Sequence, residues 1–239
     1  MSRLLNHCGK WKLRPMEDCP IILTTKQSFL LQKNSKMACL HKFHNYLNLE
    51  RLNFEPTTLI VGTFNPEWPE GNYAEWFYGR TDNNYFWDLL PGMFRDEGLR
   101  NQNHVEWKTY CRTRKVALTD LISSIDDADL QIEKHRKILG KYTDSAIASK
   151  FRQQVPNPIV PLLQAIPTIK AVYLTTTINT GLWQNLRNPV EEYSNVNKLW
   201  CRKLMTPSKG ARFFMTKGLG IKMPVFIYND WETKWRYHT

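Results

Sequence analysis

Residues 57–63 read Thr-Thr-Leu-Ile-Val-Gly-Thr, and Phe64, Asn65 and Pro66 follow. A continuous apolar, β-branched run of this kind suits a strand buried on both faces, as in a parallel sheet covered by helices. Asn65-Pro66 ends it, because proline has no N–H to give a sheet and restricts the residue before it. Working outward, residues 115–119 (Lys-Val-Ala-Leu-Thr) read as a second strand ending at Asp120, residues 169–175 as a third, and residues near 202–206 as a fourth. Val225-Phe226-Ile227-Tyr228 reads as a last strand. Between these runs, Phe86, Trp87, Leu90 and Phe94 recur at helical spacing in a helix starting near Asn83, and further helical text covers 128–153, 157–166 and 180–187. Strands alternating with helices predict an α/β fold: a three-layer α/β/α sandwich around a central, mostly parallel sheet of about four strands.

Upstream, Leu40, Phe43, Leu47 and Leu49 suggest a short amphipathic helix after Met37, whereas residues 1–36 keep no period. The expected organisation is an irregular extension over 1–36 and one domain over 37–239. With 42% apolar and 13% aromatic residues, the 239-residue chain can fill a core, which excludes wholesale disorder. No stretch approaches the roughly 20 apolar residues of a membrane span, and Pro20 to Leu23 is too short for a signal-peptide core. The expectation is a soluble cytoplasmic monomer. The five cysteines, Cys8, Cys19, Cys39, Cys111 and Cys201, form no C-x-x-C and read as reduced thiols. His41 and His44 form an H-x-x-H that reads as a surface pair, and neither a metal nor a cofactor is expected. Thirty-three basic against 22 acidic residues leave +11, and residues 201–239 carry eight basic against two acidic ones. Such a segment suits phosphate backbones.

Ligands of open parallel sheets bind outside the carboxyl ends of the strands. That rim holds Gly62 to Pro66, Asp120, Thr175 to Asn179, and Thr206 to Arg212. It contains no Ser/His/Asp set, no Walker A loop and no GxGxxG, which argues against phosphoryl transfer and nicotinamide chemistry. Hydroxyls and amides beside one aromatic suit a pocket that stacks a nucleobase and reads its edge.

Leu59-Ile60-Val61-Gly62-Thr63-Phe64-Asn65-Pro66 resembles the first motif of the uracil-DNA glycosylase superfamily. Tyr78-Gly79 with Asn84-Tyr85-Phe86-Trp87 resembles a segment of its hypoxanthine/uracil-DNA glycosylase branch, as does Val116-Ala117-Leu118-Thr119-Asp120-Leu121. Leu204-Met205-Thr206-Pro207-Ser208 is similar to the superfamily's Pro-Ser loop. Two departures stand out: Thr206 replaces a frequent histidine, and Thr81-Asp82-Asn83 stands where the branch has His-Pro.

The resemblance implies an enzyme that flips uracil or hypoxanthine out of DNA and hydrolyses its N-glycosidic bond in base excision repair. It implies Asn84 first and Asn65 second for placing water, with Asp120 in support. Gly62, Thr63, Phe64, Thr175, Thr176 and Asn179 would bind the base, and Thr206, Pro207, Ser208, Lys209 and Arg212 the DNA. Each residue also has a plainer reading: Asn84 as a helix cap, Asn65 as a turn before proline, Phe64 as a core ring, the threonines as strand formers, the cations as surface charge. Trp68, Trp76 and Trp87 read as packing. A catalytically inactive DNA- or nucleotide-binding module on the same fold remains the alternative.

Overall fold

Seven strands form among the described residues: β1 (Cys39–Leu40), β2 (Thr58–Gly62), β3 (Val116–Asp120), β4 (Ile122–Ile125), β5 (Gln154–Pro156), β6 (Ala171–Leu174) and β7 (Trp200–Lys203). The helices are α1 (Phe86–Met93), α2 (His104–Thr113), α3 (Glu133–Gly140), α4 (Asp144–Lys150), α5 (Ile159–Ala165), α6 (Gly181–Val196) and α7 (Met223–Glu232). The computed structural model describes residues 38–68, 71–176, 178, 181–215 and 220–236, so the extension expected over 1–36 lies outside the described residues.

The main sheet has the order β3-β2-β6-β7, and every pair in it is parallel. Side chains alternate across it. Ile60, Val116, Leu118, Ala171 and Tyr173 face one core with α1, α2 and α7. Leu59, Val61, Ala117, Val172 and Leu174 face the other with α3 to α6. Both faces are thus covered, and the fold is the three-layer α/β/α sandwich. On the first face Trp87 is fully buried, lies parallel to Trp107 at 4.8 Å and donates its indole N–H to Phe77 O at 3.1 Å.

A second, antiparallel sheet of order β1-β4-β5 was not legible in the sequence. The chain leaves the main sheet at Asp120 and enters the small one at Ile122, with Leu121 alone between. Residues 38–49 are therefore not an amphipathic helix. Cys39 and Leu40 pair with Ile125 and Ser124, and only His44–Tyr46 coils, as a 3-10 turn. The burial pattern gives the reason: Cys39, His41 and Phe43 are buried while Leu40 is exposed, a period of two.

The run Val225-Phe226-Ile227-Tyr228 is helical rather than a strand. Ile227 and Trp231, one turn apart, are its buried residues, and Pro224 sits in the first turn, where its missing N–H costs nothing. The helix expected near Asn83 starts at Phe86. The text of 128–153 splits into α3 and α4, and α6 continues to Val196 through Pro189. Truncating a buried Trp to Ala removes its apolar transfer energy and leaves a cavity. Trp87→Ala should therefore lower stability by about 3–5 kcal/mol in urea titrations, whereas a change near zero would mean that the α1 layer contributes little.

Candidate functional site

At the carboxyl ends of the parallel strands lies a cleft of about 550 Å³. Register explains its floor. Gly62 pairs with Asp120 across β2 and β3, at the last position of each strand. A Cβ on Gly62 would fall 2.1 Å from Asp120 Oδ1 and 2.8 Å from the Tyr78 hydroxyl, so this close approach requires glycine.

Asp120 is 5% exposed, and its other oxygen is engaged by His41. The Phe43 backbone N–H donates to His41 Nδ1 at 2.9 Å, so the ring proton sits on Nε2, which donates to Asp120 Oδ2 at 2.6 Å. The His41 backbone is fixed by its N–H to Ser123 O at 2.9 Å and by a bridge to Pro66. Reading His41 as a surface residue was wrong: it is 1% exposed, while His44 is exposed as expected.

Asp144, the first residue of α4, contributes a second carboxyl to the cleft. Burial pushes it up to about 6; the hydroxyl of Thr63, donating to Oδ1 at 2.9 Å, opposes this, and the negative charge of Asp120 reinforces it. Tyr78, held at φ 57°, stacks on Phe86 at 3.9 Å and pairs its hydroxyl with Thr175 Oγ1 at 3.0 Å. Burial raises its phenol well above the usual range.

Other expected site residues line the same cleft: Thr63, Phe64, Asn65, Asn84, Thr175, Thr176, Thr206, Pro207, Ser208 and Lys209. Their local bonds differ from those of free functional groups. Asn84 Oδ1 accepts from the Phe86 N–H at 2.9 Å, and Asn65 Oδ1 accepts from Asn72 Nδ2 at 2.8 Å. Phe64 is buried and touches the second core as well as the cleft. Asn84 bridges to Ser208, the Tyr85 N–H donates to Pro207 O at 2.7 Å, and the Lys209 N–H donates to Asn83 O at 3.0 Å. The start of α1 is thereby zipped to the Pro-Ser loop. Ser208 caps the 3-10 turn Lys209–Phe214 by accepting from the Gly210 N–H at 3.2 Å.

Thr176 is 2% exposed, and its hydroxyl has no partner among the described residues. Its carbonyl is held by the buried Arg187, whose Nη1 donates to it at 2.8 Å while Nη2 donates to Ile178 O at 2.6 Å. Arg212 is exposed and is not part of the cleft lining, and Asn179 lies outside the described residues.

Sequence reasoning also missed Phe213 and Phe214 at the rim, of which Phe213 is 92% exposed, and Arg80, whose guanidinium lies 3.3 Å from the ring centre of Tyr142. Phe213 carried a usable signal, since two adjacent aromatics follow a Pro-Ser loop in a basic segment. Asp144 carried none, because an acidic residue at a helix start is ordinary. Among the described residues no three His, Cys, Asp or Glu side chains converge as a metal cage would need, and no helix is long and apolar enough to cross a membrane.

Among solved structures, the chain is similar to the solution NMR structure of a protein from Methanosarcina acetivorans provisionally named a uracil DNA glycosylase. The identity is 14%, the match covers 76% of this chain and 90% of that one, and the TM-score is 0.49. No protein-family model and no curated protein matches the chain. At that level of likeness, fold and function rest on the chain's own geometry.

The raised carboxyl has a thermodynamic consequence. A group whose folded pKa exceeds its unfolded value binds more protons when folded, so its stabilising contribution is complete below the unfolded value, about 3.9, and is lost as pH rises through the folded one. Asp144 should therefore make the protein less stable as pH climbs from about 4 past about 6. Asp144→Asn should remove that downward component from the stability–pH curve. Parallel curves for the two proteins would show that Asp144 is not perturbed.

Proposed function

We propose that this cleft is the active site of a DNA glycosylase acting on a deaminated base. The observation that carries the reading is the Asp120 carboxylate: locked on one oxygen by His41, it presents the other beside Gly62 in a cleft at the strand ends. Breaking an N-glycosidic bond develops positive charge on the sugar and negative charge on the base. A preorganised carboxylate in a site of reduced water content favours that sugar and orients an attacking water. The order of importance suggested by sequence is then reversed. Asp120 holds the water, and the Asn84 amide, steadied through its bond to Phe86, assists it from the α1 side. Asn65 shapes the loop through Asn72.

The base enters the cleft after flipping from the duplex, at a cost of a few kcal/mol. Phe64 offers a ring to it, and the hydroxyls of Thr175 and Thr176 face its edge together with the backbone of Gly62 and Thr63. The unpartnered Thr176 hydroxyl supports this, because a buried hydroxyl without a bond costs about 1–3 kcal/mol unless a ligand meets it. The Thr206-Pro207-Ser208 loop and Lys209 face the phosphates, Arg212 acts further out, and Phe213 is placed to wedge the stack open. DNA carrying a damaged base is the partner. The binding-module reading draws on Thr206, which stands where a base-stabilising histidine would be expected.

A duplex with one uracil or one hypoxanthine, incubated with the protein and treated with alkali, separates the two readings: strand cutting supports the enzyme, and tight binding without cutting supports the module. Asp120→Asn should lower base release by about 10²-fold or more. It should also leave binding of an abasic duplex in place, since Asn can still accept from His41. Lys209→Ala should reduce the slope of log affinity against log salt by about 0.9. Full turnover in Asp120→Asn would return the water-placing role to Asn84.

A further inference from the structure

The cleft holds two carboxyl groups in unlike surroundings, and the preceding reading uses only one. Asp120 is buried, fixed by a histidine N–H, and lies on the strand floor. Asp144 approaches from the helical side. Its Oδ1 accepts the Thr63 hydroxyl, and Oδ2 has no hydrogen-bond partner among the described residues. The other charged groups lining the cleft are Arg80, Lys141 and Lys209, and Tyr78 and Tyr142 are its phenols. Neither Arg80, which is stacked on Tyr142, nor Lys141 forms an ion pair with Asp144 among the described residues. A second feature points to a ligand between these walls: the hydroxyl of the cleft-lining Thr176, buried and without a partner among the described residues.

We propose that Asp144 is the general acid that protonates the departing base, and that the substrate base is therefore a deaminated purine rather than uracil. The inference rests on the glycosylase reading of the cleft. The chemistry distinguishes the two base classes. Uracil leaves as an anion whose charge spreads onto its two carbonyl oxygens, so hydrogen-bond donors suffice. A purine leaves readily once N7 takes a proton, and N7 is a basic nitrogen that a neutral carboxyl can serve.

The C1′–N9 bond breaks with its electron pair going to the purine, and Asp144 gives its proton to N7. Water adds to C1′ and gives a proton to Asp120. That proton returns through solvent to Asp144, leaving a free purine and an abasic sugar. Two carboxyls in unlike settings, one bonded to a histidine N–H and one to a threonine hydroxyl, suit such a division of labour. Desolvation of the half-buried Asp144, near the charge of Asp120, keeps its carboxyl protonated up to about pH 6. An acid catalyst must carry its proton, so activity should fall as pH rises beyond that value.

The test measures base release from duplexes containing hypoxanthine, 7-deazahypoxanthine or uracil, with the unaltered protein and with Asp144→Asn, between about pH 5 and pH 8. The expected result has three parts. Hypoxanthine is released faster than uracil, with a rate falling above about pH 6. Asp144→Asn lowers hypoxanthine release by about 10²-fold or more and flattens the pH profile. The 7-deaza base, which cannot accept a proton at position 7, is released by the unaltered protein as slowly as hypoxanthine is by Asp144→Asn, and the variant shows no further loss on it.

Release of the 7-deaza base as fast as hypoxanthine overturns the proposal, and this arm needs no variant, so a folding defect in Asp144→Asn does not affect it. Equal hypoxanthine release by the two proteins overturns it as well. In both cases bases are still released and the glycosylase reading stands. If the unaltered protein releases no base from any duplex, that reading falls and this proposal falls with it.

Discussion

The hydrogen bond from His41 to Asp120 joins residues 79 positions apart and depends on nearly everything else in the fold. Asp120 is the last residue of a central-sheet strand, and His41 follows the first strand of a separate sheet. They meet because β1 pairs with β4, which begins two residues after Asp120. The small sheet adds Cys39, Ile122 and Ile125 to the second core. It also carries a histidine to the edge of the main sheet, where both ring nitrogens are fixed, Nδ1 by the Phe43 amide and Nε2 by the carboxylate. A buried carboxylate without such a partner would be strongly disfavoured as an anion.

Around this pair the cleft is assembled from chain ends that have no reason to be near one another in sequence. The Asn83–Tyr85 segment and the Pro207–Lys209 loop are bonded backbone to backbone, which ties the two walls together. Arg187 binds the loop after β6 through two carbonyls and leaves the Thr176 side chain without a bond. Cleft groups held by rigid elements keep their geometry through a reaction, as electrostatic preorganisation requires. The two carboxyls illustrate the same point. Asp120 and Asp144 are chemically identical, and only their neighbours distinguish them: a histidine N–H fixes Asp120, and desolvation raises Asp144.

The central strands could be read from sequence because a doubly buried strand has a distinctive text. Residues 57–63, 115–119 and 169–175 hold runs too apolar for any exposed setting, and their observed bounds fall within a residue or two of those limits. Short amphipathic text was less readable. Val-Phe-Ile-Tyr at 225–228 favours strand by composition, yet it lies on α7 because Ile227 and Trp231 meet the core one turn apart. Cys39 to Leu49 shows the converse error, since leucine spacing suggested a helix where a two-residue period runs from Cys39 to Phe43 and a 3-10 turn follows.

The sequence by itself determined the layer architecture and the strand ends where a site would lie, because burial on both faces and chain-breaking residues are written locally. It also marked Gly62, Asn84, Asp120 and the Pro-Ser loop as neighbours of that site. Only the tertiary structure decided what those groups are. Asp120 became an oriented carboxylate because β4 brought His41 beneath it, and Asn84 gave its carbonyl to Phe86. Asp144 was raised by desolvation, reinforced by the charge of Asp120 24 positions away and opposed by the hydroxyl of Thr63 81 positions away. Hydrogen-bond partners and local dielectric are properties of the folded neighbourhood, and no stretch of the chain encodes them alone.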